Sequence, residues 1–510
     1  MLSQILLIAW GVKSASRLSP FINTALLLLS VLVSIKIWNS EVNAAYKFPW
    51  ILLIIMFPLG GGLYYLISGV PKTNRWGLRK YSKNSRKIKN RLFKDMNCDM
   101  PEEVPPEIKR QSTLLNRSSG YPCYTNTKID YFPSGEAQFK KMIEDLKTAE
   151  ESIFLEYFII SKGELWDELF AILAERAKAG IDIRVIYDDI GSIWNLPPNF
   201  IKKLDESGIQ AKVFNPLSTL PSFIFNNRDH RKIVVIDGKI AYTGGTNLAD
   251  EYVNAIERFG YWKDAAIRLE GPAVRSFTIM FLSLWNHMNR QLKKDIDDFQ
   301  AYLPETKNPL RSPAFDGGEA STDSVDHNFG YVMPFDDIPD DLHAIGLDTY
   351  RAMIQRANHS VRIMTPYLVL DDGMIDALTT AAASGVNVEI ITPHIPDKPY
   401  VLEVTRSYYS KLIEQGVKIY EFTPGFIHSK VVLVDDQLAV VGTINFDYRS
   451  FYLHMECAVW MYQVNCIADI KRDFEQTIAV SQIISSEDLE RRGFWKRSWQ
   501  TFLRLFAPLM

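Results

Sequence analysis

Residues 230–247 read HRKIVVIDGKIAYTGGTN, and residues 428–445 read HSKVVLVDDQLAVVGTIN. The two stretches share their length and internal spacing, which indicates a duplicated unit rather than a chance match. Each unit supplies one imidazole, one ammonium group and one amide, a combination that suits a phosphate group held between two histidines. The candidate catalytic residues are His230, Lys232 and Asp237 in the first copy and His428, Lys430 and Asp435 in the second, with Asn247 and Asn445 as candidate phosphate ligands.

Both copies have the pattern of a β-hairpin. Residues two apart in a strand point to the same face, so each histidine projects together with its lysine. The apolar runs IVVI and VVLV predict buried central strands, and the dipeptides at 237–238 and 435–436 predict tight turns because a β pattern resumes directly after them. Asp237 follows Lys232 by five residues, or ~16 Å at ~3.3 Å per residue. We therefore expect the motif aspartates to brace the hairpin end of the site, away from a bound phosphate.

Each histidine also needs a carboxylate that holds its tautomer and supports its positive charge. Asp264 in YWKDAAIRL and Glu456 in LHMECAVW occur on the next apolar stretch after each motif asparagine. We predict that these two residues orient the histidines. The alternative is that they are surface carboxylates.

The order of predicted elements is the same around both motifs. An amphipathic helix, a strand, a second helix ending at Gly180 and the strand IDIRVIYDD precede the first motif, and ALTTAAASG followed by NVEIITP precedes the second. Alternating strands and helices predict an α/β fold with mixed, mostly parallel sheets flanked by helices. The predicted repeats occupy residues 118–303 and 329–485, and a linker rich in Pro, Gly, Ser and Asp joins them at 304–328.

The N-terminal region, 1–70, contains two apolar stretches. Residues 21–38 carry one charge, Lys36, and residues 48–69 carry none, so both are expected to cross a membrane as helices. Residues 2–12 are too short to span. A cleaved signal peptide and a buried soluble helix are the alternatives for these stretches.

A basic segment and linker, 71–117, follows the apolar stretches. Its part from 72 to 94 holds ten Lys or Arg and no Asp or Glu, which predicts that both ends of the membrane hairpin lie on the cytoplasmic side. The same charges are expected to attract anionic lipid headgroups. The last segment, 486–510, interleaves aromatic and basic residues and predicts an amphipathic helix at the membrane surface, unless it packs in the core.

Composition argues against several other classes of protein. Hydrophobic residues make up 47% of the chain and charged residues 23%, which is ordinary for a folded protein. The four cysteines contain no C-x-x-C pair, and Cys457 with the nearby His454 offers only two candidate ligands, so neither a disulfide framework nor a zinc site is expected. We therefore predict no metal ion and no cofactor.

The two motifs resemble those of the phospholipase D superfamily, whose signature is H-x-K-x4-D-x6-G-[SGT]-x-N. The resemblance covers about residues 126–481, and both copies fit the signature without a gap. The apolar stretch 48–69 with its basic flank, YDDIGS at 187–192, NFDYRSF after the second motif and the final RLFAPLM are similar, more narrowly, to the bacterial cardiolipin synthase family. His454 departs from that pattern, because a smaller polar residue is expected there.

The resemblance implies a phosphatidyl transfer between two phosphatidylglycerol molecules, giving cardiolipin and glycerol through a phosphatidyl-histidine. By this resemblance His230 is the expected nucleophile and His428 the acid and base, although the nearly symmetric sequence does not decide between them. The resemblance also implies an integral, multi-pass protein of the bacterial plasma membrane, with cytoplasmic catalytic domains and anionic membrane lipids as partners.

Other functions remain open from the sequence. A membrane-tethered phospholipase D would hydrolyse the same lipids, and a related phosphatidyltransferase would use another donor or acceptor. A nuclease is disfavoured, since the basic segment adjoins the membrane stretches and the catalytic halves show no aromatic-basic stripe, so no nucleic-acid partner is expected. A lipid-binding scaffold would not need His230.

Overall fold

Most of the chain folds into helices and strands around two β-sheets. The structure, a computed structural model, describes residues 20–40, 44–68, 72–94, 96, 100–216, 227–289, 297–303, 330–339, 344–491 and 493–507. The expected surface segment at 2–12 and the expected linker at 304–328 lie outside these residues.

The N-terminal region consists of short and medium-length helices. They are α1 (Pro20–Trp38), α2 (Ala44–Met56) and α3 (Gly61–Ser68). Within the described residues, α1 is the one helix long and apolar enough to cross a membrane. The single helix predicted over 48–69 is divided into α2 and α3, because the chain turns between them at Pro58 and Gly60. Proline lacks an N–H and clashes with the preceding helical turn, so a helix tends to break there.

Helix α3 packs closely on both α2 and α1. A Cβ atom on Gly61 would lie 2.7 Å from the Cα of Ile54, and one on Gly62 would lie 2.7 Å from the Cα of Ser30. The Gly62 N–H also donates to Ser30 Oγ at 3.2 Å. Only glycine allows backbones to approach so closely. The region is therefore a cluster of three helices, which differs from the predicted hairpin of two long ones.

The segment expected to be a basic stretch and linker is largely helical. Its helices are α4 (Lys72–Leu92) and α5 (Pro106–Ser119). Lys89 of α4 forms a buried ion pair with Asp336, with 3.1 Å between Nζ and Oδ1. Gln111 of α5 donates through Nε2 to the carbonyl of Ala352 at 2.8 Å. Both helices are thus attached to the second repeat rather than forming a free connection.

The first repeat builds a seven-stranded sheet. Its strands are β1 (Lys128–Phe132), β2 (Ser152–Tyr157), β3 (Asp182–Asp188), β4 (Gln210–Phe214), β5 (Ile233–Ile236), β6 (Ile240–Gly244), β7 (Tyr261–Lys263) and β8 (Ala266–Glu270). All except β7 join the sheet, in the order β1-β8-β6-β5-β2-β3-β4. The helices are α6 (Gly135–Lys147), α7 (Glu164–Lys178), α8 (Asp189–Ser192), α9 (Phe200–Glu206), α10 (Val274–Met288) and α11 (Asp297–Gln300).

The second repeat builds an eight-stranded sheet. Its strands are β9 (Tyr331–Asp337), β10 (Ser360–Met364), β11 (Asn387–Pro393), β12 (Lys418–Phe422), β13 (Gly425–Ile427), β14 (Val431–Val434), β15 (Leu438–Gly442), β16 (Glu456–Tyr462) and β17 (Ser481–Ile483). All except β13 join the sheet, in the order β17-β12-β11-β10-β14-β15-β16-β9. The helices are α12 (Ile345–Gln355), α13 (Asp372–Ala383), α14 (Pro399–Ser407), α15 (Tyr409–Ile413), α16 (Tyr448–Tyr452), α17 (Ile467–Ala479), α18 (Ser486–Glu490) and α19 (Phe494–Arg504).

The prediction of mixed sheets is confirmed, but the prediction that they are mostly parallel is wrong. Parallel pairing is confined to β2-β3-β4 in the first sheet and β10-β11-β12 in the second, and the other pairs in both sheets are antiparallel. Parallel neighbours need a helical crossover, whereas a tight turn can only return the chain antiparallel. Such turns join β5 to β6 and β14 to β15, and they raise the share of antiparallel pairs in both sheets.

The two motif strands lie inside their sheets and in one common core. Strand β5 pairs with β2 and β6, strand β14 pairs with β10 and β15, and every residue of both is buried. One apolar core cluster runs through both sheets, and α10 packs on β5 of the first and β9 of the second. The parallel pair β7 and β13 joins the repeats directly. The starts of both motif strands are thereby brought to the junction.

The first motif aspartate forms the turn of its hairpin, as the sequence predicts. Asp237 has φ 52° and Gly238 has φ 61°, a left-handed pair typical of tight hairpin turns. The Asp237 carboxylate accepts hydrogen bonds from the backbone N–H groups of Glu150, Glu151 and Ser152 at 2.9, 2.7 and 2.8 Å. It therefore holds the start of β2 against the end of β5.

The second motif aspartate has the same environment. Asp435 has φ 52° and accepts from the N–H groups of Asn358, His359 and Ser360 at 2.9, 2.7 and 2.9 Å. Burial raises the pKa of Asp435, but these backbone donors outweigh it and lower the pKa below its usual value. Both aspartates thus lie at the far end of the motif strands from the histidines, and we expect a structural role for them rather than a catalytic one.

Substituting Asp435→Asn tests this structural role. The amide keeps one acceptor but turns an N–H₂ group toward backbone donors, so we expect about 2–4 kcal/mol of unfolding free energy to be lost. Activity per folded molecule should stay within about threefold of the wild type, because the change leaves the histidine end of the strand intact. The measurements are denaturant unfolding and activity normalised to folded protein.

Asp436→Asn is the matched control on the same turn. The Asp436 carboxylate is partly exposed and pairs with Arg362 and Lys471 at the surface. Its loss should therefore lower the free energy of unfolding by less than the loss of the Asp435 carboxylate. An unchanged stability of Asp435→Asn together with a selective loss of activity would return Asp435 to the catalytic set.

Candidate active site

Each motif histidine is attached through its backbone to the other repeat. The His230 N–H donates to the carbonyl of Met455 at 2.9 Å, and the His428 N–H donates to the carbonyl of Lys263 at 2.7 Å. Asp229, next to His230, also forms a bridge with Met455. The two motifs therefore meet at one junction and form a single candidate site.

The orienting carboxylates are exchanged between the repeats. His230 Nδ1 lies 3.0 Å from both carboxylate oxygens of Glu456, and His428 Nδ1 lies 2.7 Å from Asp264 Oδ2. Glu456 and Asp264 are both fully buried. With Nδ1 bound to a carboxylate, the Nε2 atom of each imidazole is left for chemistry. Neither repeat on its own contains a complete histidine–carboxylate pair.

The motif lysines are buried directly beside their histidines. Lys232 Nζ donates to the carbonyl of His230 at 2.7 Å, and Lys430 Nζ donates in the same way to the carbonyl of His428. Burial lowers the pKa of Lys232 to about 8 and that of Lys430 to about 7. Because a bound anion would favour the charged forms, these ammonium groups are suited to hold a phosphate.

The motif asparagines differ in their contacts. Asn247 Oδ1 accepts from the N–H of Ile159 at 3.0 Å, and its amide nitrogen donates to the hydroxyl of Tyr252 at 2.7 Å. Asn445 Oδ1 is buried and has no hydrogen-bond partner among the described residues. Asn247 therefore already ties a loop of the first repeat to the site, whereas Asn445 presents a buried polar group that a ligand could satisfy.

Aromatic rings enclose the two histidines unequally. His428 is surrounded by Tyr252, Trp262 and Phe426, with ring centroids 5.5, 5.4 and 5.8 Å away. His230 has Phe158 at 5.2 Å and a third imidazole, His454, at 5.6 Å. Trp262 precedes Asp264 by two positions, as His454 precedes Glu456. His454 thus occupies in one half the position that a tryptophan fills in the other.

His454 is a site residue whose role sequence reasoning missed. The only sign of this residue in the sequence was that a histidine stands where a smaller polar residue is expected. Its Nδ1 lies 3.9 Å from Glu456 Oε1, and neither ring nitrogen has a hydrogen-bond partner among the described residues. His230, His454 and Glu456 bring ligand atoms within 4.8 Å of one another, a donor set that zinc can accept. Burial and then the charges of Arg449 and Lys232 hold the pKa of His454 well below its usual value, so these surroundings favour an anion over a cation.

The two histidine–carboxylate pairs also differ electrostatically. Burial lowers the pKa of His428 to about 4 and holds the pKa of His230 well below its usual value, and the neighbouring lysines act in the same direction. Burial raises the pKa of Glu456 to about 8. Burial would also raise the pKa of Asp264, but the adjacent His428 and Lys430 lower it overall. The pKa values of the two carboxylates are therefore shifted in opposite directions.

The fold and the site together define a class of protein. A mixed α/β body in two repeats, each carrying the H-x-K-x4-D-x6-G-[SGT]-x-N signature, indicates a phospholipase D-like protein. The structure resembles a phosphatidylserine synthase of Haemophilus influenzae with a TM-score of 0.57, covering 80% of this chain and 98% of that chain at 17% identity. This likeness concerns the fold alone.

Sequence comparison narrows the class to one family. The family described as "Cardiolipin synthase, PLD-like domain" matches residues 142–267 and 350–478. A cardiolipin synthase of Geobacillus kaustophilus is 32% identical, over 98% of this chain and 95% of that protein. The major cardiolipin synthase of Bacillus subtilis is 30% identical over 97% and 100%, and an uncharacterised protein of Streptococcus mutans is 41% identical over 92% and 98%. The chain belongs to the cardiolipin synthase family of phospholipase D-like proteins.

The Asp264→Asn variant tests the exchanged pairs. An amide can accept a hydrogen bond from His428 Nδ1 but cannot balance a positive imidazolium, so we expect turnover to fall by about 10²–10⁴-fold. Thermal unfolding should show a folded protein. Glu168→Gln, an exposed carboxylate on α7, is the control and should turn over at the wild-type rate. Wild-type turnover in Asp264→Asn would remove this residue from the site.

Proposed function

We propose that this protein is a cardiolipin synthase that transfers a phosphatidyl group from one phosphatidylglycerol to a second, releasing glycerol. The observation that carries the proposal is the pair of exchanged histidine–carboxylate contacts, with a buried lysine beside each histidine, in a chain of the cardiolipin synthase family. Such a site offers two imidazoles and two ammonium groups to one tetrahedral phosphodiester.

In the first step, His230 Nε2 attacks the phosphorus of the donor lipid, and the bond from phosphorus to the glycerol oxygen breaks. His428 gives a proton to that departing oxygen. The lowered pKa of Asp264, the partner of His428, supports this division of roles. The adjacent His428 and Lys430 hold the pKa of Asp264 below its usual value, so this carboxylate stays charged and can stabilise a positive His428.

In the second step, His428 removes a proton from a hydroxyl of the second phosphatidylglycerol. That oxygen forms a bond to phosphorus, and the bond to His230 breaks. His428 is neutral after it has given up its proton in the first step, and it can therefore act as the base in the second. Burial lowers its pKa to about 4, and a bound phosphate anion would raise that pKa and favour the protonated form used in the first step.

Lys232, Lys430 and Asn445 are proposed to bind the non-bridging oxygens while charge shifts onto them. The two buried ammonium groups supply the positive charge that a metal ion supplies in many phosphoryl-transfer sites. Asn247 is proposed to act mainly by holding the Ile159 loop at the edge of the site. Asp237 and Asp435 support the hairpins and take no part in either step.

We propose that the protein is integral to the bacterial plasma membrane, with its catalytic body on the cytoplasmic side. The apolar helix α1 and the ten basic charges between 72 and 94 support this orientation. Among the described residues, α1 is the one helix long and apolar enough to cross alone, and the multi-pass arrangement predicted from the sequence stays a prediction. A body held at the membrane would meet concentrated lipid hydroxyls, which favours transfer over hydrolysis.

Product analysis tests the proposed function. Purified protein is incubated with headgroup-labelled phosphatidylglycerol in mixed micelles, with and without a chelator. We expect cardiolipin and free glycerol in both samples and a loss of at least about 10³-fold in His428→Ala, because the transferred proton has no other carrier. His359→Ala, an exposed histidine outside the site, is the matched control and should behave as the wild type.

The alternative functions would give other products in this assay. Phosphatidic acid with glycerol would mean a phospholipase D, and turnover only with phosphatidylethanolamine added would mean a different donor or acceptor. An active His428→Ala variant would contradict the mechanism, and a wild type that releases no glycerol would contradict the function.

A further inference from the structure

Helix α19 presents its apolar face to solvent. Trp495, Trp499 and Phe502 form a stripe at i, i+4 and i+7, and they are 84%, 53% and 49% exposed. The opposite face carries Gln500, which is buried and donates to Glu403 Oε2 at 2.7 Å. An amphipathic helix of a soluble body normally buries its aromatic stripe and exposes its glutamine. The reversed arrangement indicates a partner for the stripe.

The exposed stripe is held in place by contacts with the catalytic body. Helix α19 packs on α14, where Lys496 Nζ lies 3.7 Å from Glu403 Oε1. The guanidinium of Arg504 lies 4.3 Å above the ring of Tyr408. The aromatic side chains therefore face outward because the polar face is docked, and not because the helix is detached.

Helix α14 connects α19 to the rim of the active site. Lys398 precedes α14, and its Nζ donates to the hydroxyl of Tyr367 at 3.3 Å. The charge of Lys398 is also one of those that depress the pKa of His454, after burial, Arg449, Lys232 and Arg228. Tyr400 at the start of α14 is half exposed. The second repeat thus carries exposed aromatic residues from the site's rim to α19.

The first repeat has a matching feature on the equivalent loop. Ile193 and Trp194 follow β3, as Tyr400 follows β11, and Trp194 is 87% exposed. Ser192 anchors this loop by accepting the N–H of Ile160 at 3.0 Å. Loops after neighbouring parallel strands share one edge of a sheet, the edge at which ligands bind. Both repeats therefore place an exposed aromatic side chain beside the site.

We propose that these residues form a surface that docks on the lipid bilayer and presses the active site against it. The docking surface consists of Ile193, Trp194, Tyr400, Phe494, Trp495, Trp499 and Phe502. Tryptophan and tyrosine favour the membrane interface, and the exposed Arg491 and Arg497 beside the stripe suit anionic headgroups. This interleaving of aromatic and basic side chains favours a bilayer over a protein partner. The inference rests on the proposed function in that the substrate is a membrane lipid.

Spin labelling of the full chain in vesicles tests the docking surface. A nitroxide is attached at Trp495→Cys in protein reconstituted in vesicles of phosphatidylglycerol and phosphatidylethanolamine, in a Cys98→Ser background. The three other cysteines are buried, so labelling is directed to the new position. We expect the label to be relaxed more by oxygen than by a water-soluble nickel chelate, as inside a bilayer. Glu175→Cys, exposed at the far end of α7, is the control and should show the opposite preference.

Two outcomes would overturn the inference. Equal accessibility of both labels to the nickel chelate would show that the stripe stays in water. Dipolar broadening between Trp495→Cys labels, with the same exclusion of nickel in detergent, would show that a second copy of the chain covers the stripe.

An activity comparison separates this inference from the proposed function. In Trp495→Ser/Trp499→Ser, turnover of bilayer phosphatidylglycerol should fall about tenfold, while turnover of a monomeric short-chain phosphatidylglycerol should stay within about twofold. Equal losses on both substrates would contradict the docking role. Absence of turnover of the short-chain lipid by the wild type would count against the proposed function and leave the spin-label result standing.

Discussion

The exchange of carboxylates between the repeats is the contact on which the site depends. Glu456 of the second repeat binds His230 of the first, and Asp264 of the first binds His428 of the second. Because both carboxylates are fully buried, each would be costly without its histidine partner, and each histidine would lack a defined tautomer without its carboxylate. The duplicated motif therefore contributes two halves of one candidate site, and that site forms only when the two sheets pack together.

The motif strand carries structural and chemical residues on alternate faces. Arg231 lies between His230 and Lys232 and points the other way, where its Nε atom lies 2.7 Å from Glu156 and 3.1 Å from Asp229. A fully buried charge persists only with such partners. The same strand thus aligns the site on one face and ties it to the core on the other, while the motif aspartate closes its far end. Small shifts in strand register would disturb both faces at once.

The sequence predicted the local parts of this arrangement well, because strand alternation and turn chemistry act over a few residues. It placed His230 with Lys232 and the turn at Asp237, and it selected Asp264 and Glu456 as orienting residues. Two features depend on long-range packing and were missed or wrong: the mostly antiparallel pairing and the inward position of His454. The break at Pro58 has a local cause in the proline itself, but the length and apolarity of 48–69 predicted one helix. His454 departs from the pattern expected of the family, but only the assembled sheets show that it lies beside His230.

The most direct test follows the nitrophenol released from phosphatidyl-p-nitrophenol, a donor whose leaving group needs no acid. With Asp264→Asn we predict a rapid burst of about one nitrophenol per protein, with the phosphatidyl group retained on His230, because only the base in the second step is impaired. With Glu456→Gln the burst should be lost. The opposite result, a burst in Glu456→Gln and none in Asp264→Asn, would contradict the assignment of His230 as nucleophile and His428 as acid and base.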